Sequence, residues 1–217
     1  MVIEKAENIS ASDFLPRNRS LESLRQAAKS CKGCDLYLNA TQTVFGDGPG
    51  HASVMLVGEQ PGDIEDQKGE PFVGPAGRIL DRALEDARIS RDEVYVTNAV
   101  KHFKWIWRGK RRLHQKPSVR QVVACRPWLE VEIEAVQPEI LVCLGATAAQ
   151  SVVGKSVAIM KERGKFIDSV LGKLTFVTIH PSAILRQRDN DEREQEYHRF
   201  ASELKLVKGK LQSLSAA

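Results

Sequence analysis

Four short apolar runs, bounded by glycine or turn-forming residues and separated by segments of helical periodicity, constrain the fold most. They span residues 53–58, 94–98, 140–145 and 174–179. Runs without polar alternation are typical of strands buried on both faces, as in a parallel sheet covered by helices. The sequence therefore predicts an α/β fold, a three-layer α/β/α domain around a mainly parallel, four-stranded central sheet.

The length of the chain and the composition of its ends set the predicted domain organisation. With 217 residues the chain suits one domain with a substantial core. Residues 1–18 are polar and lack periodicity, so we expect a flexible N-terminal arm followed by a single domain over residues 19–210. A basic loop over about residues 104–117 is predicted as an insertion in that domain.

Hydropathy and the N-terminus favour a cytoplasmic protein. No apolar run approaches the roughly 20 residues of a membrane helix, and the first residues lack the apolar block of a signal peptide. We therefore expect no membrane contact, and a monomer, because no heptad pattern indicates self-association. Four cysteines in a reducing compartment indicate a metal site or catalysis before disulfides.

A cluster of basic residues indicates a polyanionic partner, although the net charge of the chain is only +4. The segment 101–120 has eight basic residues and no acidic one. Such a patch attracts phosphates and releases counterions when it binds them. The segment therefore favours binding of a nucleic acid.

Polar residues follow the predicted strands at the edge where parallel sheets bind ligands. Glycines and carboxylates follow the first strand, from Gly58 to Asp66, and His180 follows the last. Glycines let a backbone approach a ligand closely, and a histidine at a strand end can polarise one. From residue types alone, a solvated acidic turn and a structural core histidine explain these residues equally well.

Five segments, taken in order between Cys31 and Ser182, resemble the iron–sulfur uracil-DNA glycosylases. They are GEQPGDIEDQKGEPFVGPAGRILD, VTNAVKH, CRPWL, LGATAA and HPS. The resemblance implies a uracil-DNA glycosylase-like fold and excision of uracil from extruded or single-stranded DNA, because a stacked base cannot be reached. Lys110-Arg-Arg-Leu-His114 resembles the inserted loop of the UdgX branch of this superfamily.

The resemblance implies roles for residues at three strand ends. His180 would donate a hydrogen bond to a uracil oxygen, Phe72 would stack on the base, and Asn98 would read the pyrimidine edge. The pocket would be completed by Gly58, Gln60 and Asp63, with Asp63 among the catalytic residues. Without the resemblance, Phe72 would be interpreted as a core aromatic and Asn98 as a turn residue.

In the UdgX branch, the loop histidine attacks the sugar C1′ after uracil departs and so joins the protein to DNA. His114 would be this nucleophile, and Glu59 would orient its ring and balance the developing positive charge. Lys110, Arg111 and Arg112 would hold the loop near DNA phosphates, with a solvated basic turn as the alternative.

The cysteines allow two metal sites. Counting alone suggests a four-thiolate site of Cys31, Cys34, Cys125 and Cys143, in which the first two form a Cys-x2-Cys hook for zinc or an iron–sulfur cluster. Cys143 lies within a predicted buried strand, where cysteine often acts as a small apolar residue.

The resemblance implies a different fourth ligand, because His102 stands where related glycosylases have a cysteine. We therefore expect a [4Fe–4S] cluster held by Cys31, Cys34, His102 and Cys125. A structural role is expected for it, since nothing in the sequence demands redox chemistry.

Other functions stay open at this point. The first is a conventional glycosylase that turns over and leaves an abasic site, with His114 only binding DNA. A non-catalytic iron–sulfur DNA-binding module and a phosphohydrolase rank lower, the latter because the sequence has no P-loop. Trp105 and Trp107 would stack on exposed bases or pack the loop onto the domain, and we favour packing.

Overall fold

The structure, a computed structural model, describes residues 9–216. Residues 1–8 of the predicted arm and residue 217 lie outside the described residues. The strands are β1 (Val54–Gly58), β2 (Val94–Asn98), β3 (Trp105–Arg108), β4 (Arg111–His114), β5 (Ile140–Leu144), β6 (Lys165–Ile167) and β7 (Leu174–Thr178).

The central sheet has five strands in the order β2-β1-β5-β7-β6, and its four longer strands run parallel. These are the four predicted strands, so the predicted α/β fold with a mainly parallel sheet is confirmed. The strand count of four was wrong, because β6 adds an antiparallel edge strand against β7. This strand has only three residues, beginning with the exposed Lys165, which is too short for a recognisable apolar pattern.

Helices cover both faces of the sheet. They are α1 (Leu21–Ala28), α2 (Asp63–Lys68), α3 (Pro75–Asp86), α4 (Val119–Val136), α5 (Ala146–Val153), α6 (Ile159–Glu162), α7 (Ser182–Leu185) and α8 (Asn190–Ser215). On one face, Leu80 of α3 and Phe200 of α8 belong to the core cluster that includes Val54 and Val142. On the other face, α4 and α5 pack against the alternate side chains of the same strands.

The N-terminal segment packs on the domain from residue 11 onward. Ala11–Phe14 forms a 3₁₀ helix, and Ala11 is buried beside Leu24 and Trp128. This part of the predicted arm is therefore packed against α4. In the span from residue 9 to residue 216, no helix combines the length and apolar character needed to cross a membrane.

The basic insertion forms a two-stranded antiparallel hairpin of β3 and β4. Gly109 has a φ of 60° in its turn, a left-handed conformation that glycine adopts without strain. Within the hairpin Trp105 pairs with His114, and Trp107 pairs with Arg112. Since paired residues project to the same face, these four side chains share one face of the hairpin.

Candidate active site

A cavity of about 1000 Å³ lies at the carboxyl edge of the sheet, beside the base of the hairpin. The parallel register brings the carboxyl ends of β1, β2, β5 and β7 to this edge. The residues around it include Glu59, Gln60, Asp63, Phe72, Asn98, His114 and His180. The structure therefore brings together, in one cavity, seven site residues that the sequence analysis singled out.

His114 and Glu59 form a pair at the rim of this cavity. The His114 Nε2 atom lies 3.2 Å from Glu59 Oε1. The His114 side chain is 51% exposed, whereas the Glu59 side chain is 22% exposed. The carboxylate is thus held by the domain, and the imidazole projects toward the region where a ligand would enter.

Thr147, a residue that the sequence analysis did not single out, fixes the other oxygen of Glu59. The Thr147 hydroxyl donates a hydrogen bond to Glu59 Oε2. Burial alone would raise the pKa of the Glu59 carboxyl, but hydrogen bonds from His114 and Thr147 outweigh it and hold the pKa below its ordinary value. Glu59 is therefore an anion that can stabilise positive charge on His114.

His180 faces the cavity as a neutral imidazole of defined tautomer. The backbone N–H of Ser182 donates to His180 Nδ1 at 3.1 Å, and the Ser182 hydroxyl lies 2.8 Å from the same atom. Because Nδ1 accepts from the backbone, the ring proton resides on Nε2. Burial lowers the pKa of His180 to about 4, against a smaller opposing effect of Glu59. His180 is therefore a neutral hydrogen-bond donor near neutral pH.

We expect the His180 ring to remain neutral and protonated on Nε2 at pH 5.5, because its pKa lies well below that of an ordinary histidine. Long-range ¹H–¹⁵N spectra of the labelled protein distinguish the two neutral tautomers and the imidazolium. The resonance is assigned by its loss in His180→Asn. Titration near pH 6.5, or a proton on Nδ1, would contradict this assignment.

Phe72 and Asn98 converge on Gly58, which leaves no room for a side chain. A Cβ atom at Gly58 would lie 2.3 Å from Asn98 Oδ1 and 2.8 Å from the Phe72 ring. Phe72 has a φ of 58°, an uncommon conformation for a bulky residue, and its carbonyl packs closely on Gly77. Its ring stacks toward His180 with centroids 6.1 Å apart. Backbone strain at Phe72 thus accompanies its placement at the cavity.

Gly58→Ala should lower the single-turnover rate of the uracil excision that the resemblance implies by about 100-fold, because the added methyl group displaces Asn98 and Phe72 by a distance on the order of an ångström. Gly209→Ala is the matched control, since a Cβ atom there meets no heavy atom within 4 Å. The measurement is a rapid-quench time course with protein in excess over DNA. Equal rates for the two variants would contradict the proposed packing.

Arg112 anchors the hairpin to the domain. Its guanidinium donates to Asp63 Oδ1 at 2.5 Å and to Asp66 Oδ2 at 2.7 Å, and the side chain is only 14% exposed. In this arrangement the Arg112 guanidinium is paired with two carboxylates of the domain, and its contact with DNA phosphates stays a prediction. Lys110 and Arg111 are exposed at the tip, as expected of phosphate-binding residues.

Gln60 closes the base of the hairpin with its side chain. Its Nε2 atom donates to the carbonyls of Lys104 and Gln115 at 3.1 and 3.2 Å, and its Oε1 atom accepts from the Lys104 N–H at 3.2 Å. Both chain ends of the hairpin are thus held by the loop that follows β1. Because Glu59 is the neighbour of Gln60, this contact fixes His114 relative to its carboxylate partner.

Three of the four predicted metal ligands share one apolar cluster. Cys31 and Cys125 are buried in it and Cys34 is half-buried, whereas Cys143 lies in a different cluster within β5. His102 instead lies with Nε2 2.9 Å from the Thr43 hydroxyl. Over residues 9–216, His, Cys, Asp and Glu side chains form no group of three or more arranged to hold a metal ion.

Comparisons with known proteins agree with this architecture. The sequence profile of the Uracil DNA glycosylase superfamily matches residues 45–205. A type-4 uracil-DNA glycosylase of Thermotoga maritima is 39% identical over 176 residues, which cover 81% of this chain and 88% of the relative. A type-4 uracil-DNA glycosylase of Archaeoglobus fulgidus is 33% identical over 189 residues, or 83% and 92% of the two chains. The chain belongs to the uracil-DNA glycosylase superfamily.

Proposed function

We propose that this uracil-DNA glycosylase excises uracil, preferentially from single-stranded DNA, and stays covalently joined to the sugar C1′ through His114. The observation that carries the proposal is the 3.2 Å contact between His114 and the Glu59 carboxylate at the rim of the cavity. The similarity of residues 110–114 to the UdgX loop supports the same assignment.

The residues that line the cavity support the binding of a uracil base. The Phe72 ring would stack on the base, and the Asn98 amide would pair with the pyrimidine edge. Gly58 lets both side chains approach, because its missing Cβ leaves the necessary space. A base enters only after extrusion, which costs less from a single strand than from a paired duplex, so single-stranded DNA is the expected substrate.

Cleavage of the glycosidic bond leaves negative charge on uracil and positive charge on the sugar. The bond from C1′ to uracil N1 breaks, and its electron pair stays with the base. The His180 Nε2–H would donate to a uracil oxygen and stabilise this anion. A neutral donor suits this task across the neutral pH range, because the pKa of His180 is lowered to about 4.

His114 would then supply the new bond at C1′. The ring nitrogen that does not donate to Glu59 attacks the sugar with its lone pair, and the imidazole becomes a cation. The Glu59 anion, held by Thr147, balances this charge through the remaining ring N–H. Arg112 and Gln60 act as positioning residues, since they hold the hairpin at Asp63 and Asp66 and at its base.

The proposal includes a [4Fe–4S] cluster held by Cys31, Cys34, His102 and Cys125. The donor chemistry fits, because the three thiols belong to one apolar cluster of side chains. Lys101, the residue before His102, donates its backbone N–H to Cys125 Sγ at 3.2 Å, so His102 lies near these thiols. When bound, the cluster would crosslink the N-terminal segment, the start of the hairpin and α4. His102 would have to turn from Thr43 to join it.

Cys125→Ser should lose most bound iron and acid-labile sulfide, because it removes a proposed ligand. Cys143→Ser is the matched control, since Cys143 is equally buried but lies in another cluster. Both variants are purified without oxygen and assayed for iron per chain. Iron loss from the Cys143 variant alone would reverse the assignment.

The proposed function is tested by incubating the protein with a uracil-containing single-stranded oligonucleotide and running a denaturing gel. A slow band that resists boiling and detergent, and that is absent with a thymine oligonucleotide, is the expected result. Strand cleavage after alkali without such a band would instead establish a conventional glycosylase that leaves an abasic site.

A further inference from the structure

A second, smaller cleft adjoins the active-site cavity and shares Asp63 and Leu113 with it. Its other walls include Trp107, Lys110 and Arg111, all from the hairpin. We call it the Trp107 cleft. Because the two cavities share a wall, a DNA strand that leaves the active-site cavity on this side would meet these side chains next.

The two tryptophans of the hairpin have different surroundings. Trp105 donates its indole N–H to the Asn39 carbonyl at 3.0 Å, and the Arg112 guanidinium lies 5.4 Å from its ring. Trp105 therefore packs the hairpin on the domain, as expected. Trp107 touches the edge of Trp105 but is 63% exposed. The Trp107 ring is thus exposed to solvent, and it is Trp105 that packs the hairpin on the domain.

The hairpin register places Trp107 at a distance from His114 that one nucleotide can span. Trp105 is paired with His114, and Trp107 follows it by two residues on the same face. Two residues of a strand span about 7 Å. A nucleotide attached to the sugar at His114 can therefore bring its base to the Trp107 ring.

The charge of the cleft suits a phosphate. Lys110 and Arg111 are exposed, and neither forms an ion pair within residues 9–216. Asp63, the acidic residue in the cleft, is already paired with Arg112. Both cations at the hairpin tip are therefore free to neutralise a backbone phosphate.

We propose that the Trp107 cleft binds the nucleotide next to uracil in a single strand, with its base stacked on Trp107 and its phosphate near Lys110 and Arg111. This deepens the proposed function, because it rests on DNA as the substrate. It does not depend on covalent chemistry at His114. A paired base in a duplex cannot stack in this way, so the cleft selects single-stranded DNA.

The test measures binding of an unreactive single-stranded oligonucleotide with a stable abasic analogue in place of the uracil nucleotide. Trp107→Ala should weaken binding about tenfold, and Trp107→Phe should retain most of the affinity, because any aromatic face can stack. Ile106→Ala is the matched control, since Ile106 is 53% exposed on the opposite face of the same hairpin. It should change affinity less than about twofold.

A second series locates the stacked base. Oligonucleotides that lack one further base, at each position flanking the analogue, are titrated against wild type and Trp107→Ala. The effect of the substitution should vanish for the one oligonucleotide that lacks the stacked base. An equal effect across the series, or an equal effect with duplex DNA, would overturn the proposal. Failure of wild type to form the covalent band, with this binding pattern intact, would reject only the chemistry at His114.

Discussion

His114→Ala is expected to lower the rate at which the denaturant-resistant complex with uracil-containing DNA forms by at least about a thousandfold. The substitution removes the ring nitrogen that would bond to C1′. It leaves Phe72, Asn98 and His180 in place, so the glycosidic bond should still break and release free uracil slowly. Water would then take the place of the histidine and leave an abasic site.

The control for this variant is His198→Ala. His198 lies on α8 with its side chain 68% exposed, and its contact is to Glu194 of the same helix. Covalent capture by this variant should equal that of wild type. Covalent complex in His114→Ala at the wild-type rate would show that another residue is the nucleophile.

Glu132→Gln is expected to destabilise the fold by about 3–5 kcal/mol, because it leaves the Lys101 ammonium buried without its counter-charge. Both side chains are fully buried and directly paired. Glu132 also accepts hydrogen bonds from the Tyr95 and Thr97 hydroxyls and from the Gly46 N–H. A chain of this size should lose on the order of 10 °C in its thermal midpoint.

The matched control is Glu130→Gln on the same helix. Glu130 forms an i,i+4 pair with Arg126 and is 39% exposed, so its loss should change the free energy of unfolding by less than about 1 kcal/mol. Both variants are compared with wild type by thermal unfolding at one scan rate. Equal shifts for the two substitutions would contradict the assignment of a buried ion pair.

Hydrogen bonds of Lys101 connect the Lys101–Glu132 ion pair to the active site. Lys101 Nζ donates to the Asn98 carbonyl at 2.7 Å, and the Lys101 N–H donates to Cys125 Sγ at 3.2 Å. Lys101 therefore connects the strand end that carries Asn98 to the cysteine cluster. Loss of Glu132 should lower uracil excision as well as stability, and the rate of excision in Glu132→Gln below its unfolding temperature measures this.

The sequence predicts the central sheet because burial on both faces produces uninterrupted apolar runs. β1, β2 and β5 are buried at every position, and their apolar runs therefore marked them as strands of a parallel sheet whose carboxyl ends lie at one edge. β6 escaped prediction because its three residues are partly exposed at the sheet edge. The hairpin escaped prediction because its basic residues conceal the two-residue alternation of a strand.

The resemblance to the iron–sulfur uracil-DNA glycosylases predicted the main site residues, and the parallel strands bring them together because their carboxyl ends lie at one edge. Partners that are distant in the sequence were not predicted. Thr147 bonds to Glu59 across 88 positions, and Gln60 bonds to Lys104 across 44. Arg112 points inward and Arg111 outward only because adjacent strand residues face opposite sides, which required knowledge of the hairpin.

Mass spectrometry of the protein–DNA complex tests the role of His114 most directly. The complex formed with a uracil-containing oligonucleotide is digested with nuclease and trypsin, and fragmentation locates the sugar adduct. Cleavage after Arg112 yields a peptide over residues 113–120, in which His114 is the one histidine. We expect the deoxyribose adduct on the His114 ring. An adduct on another residue, or unmodified peptide together with free uracil and abasic DNA, would contradict the proposed mechanism.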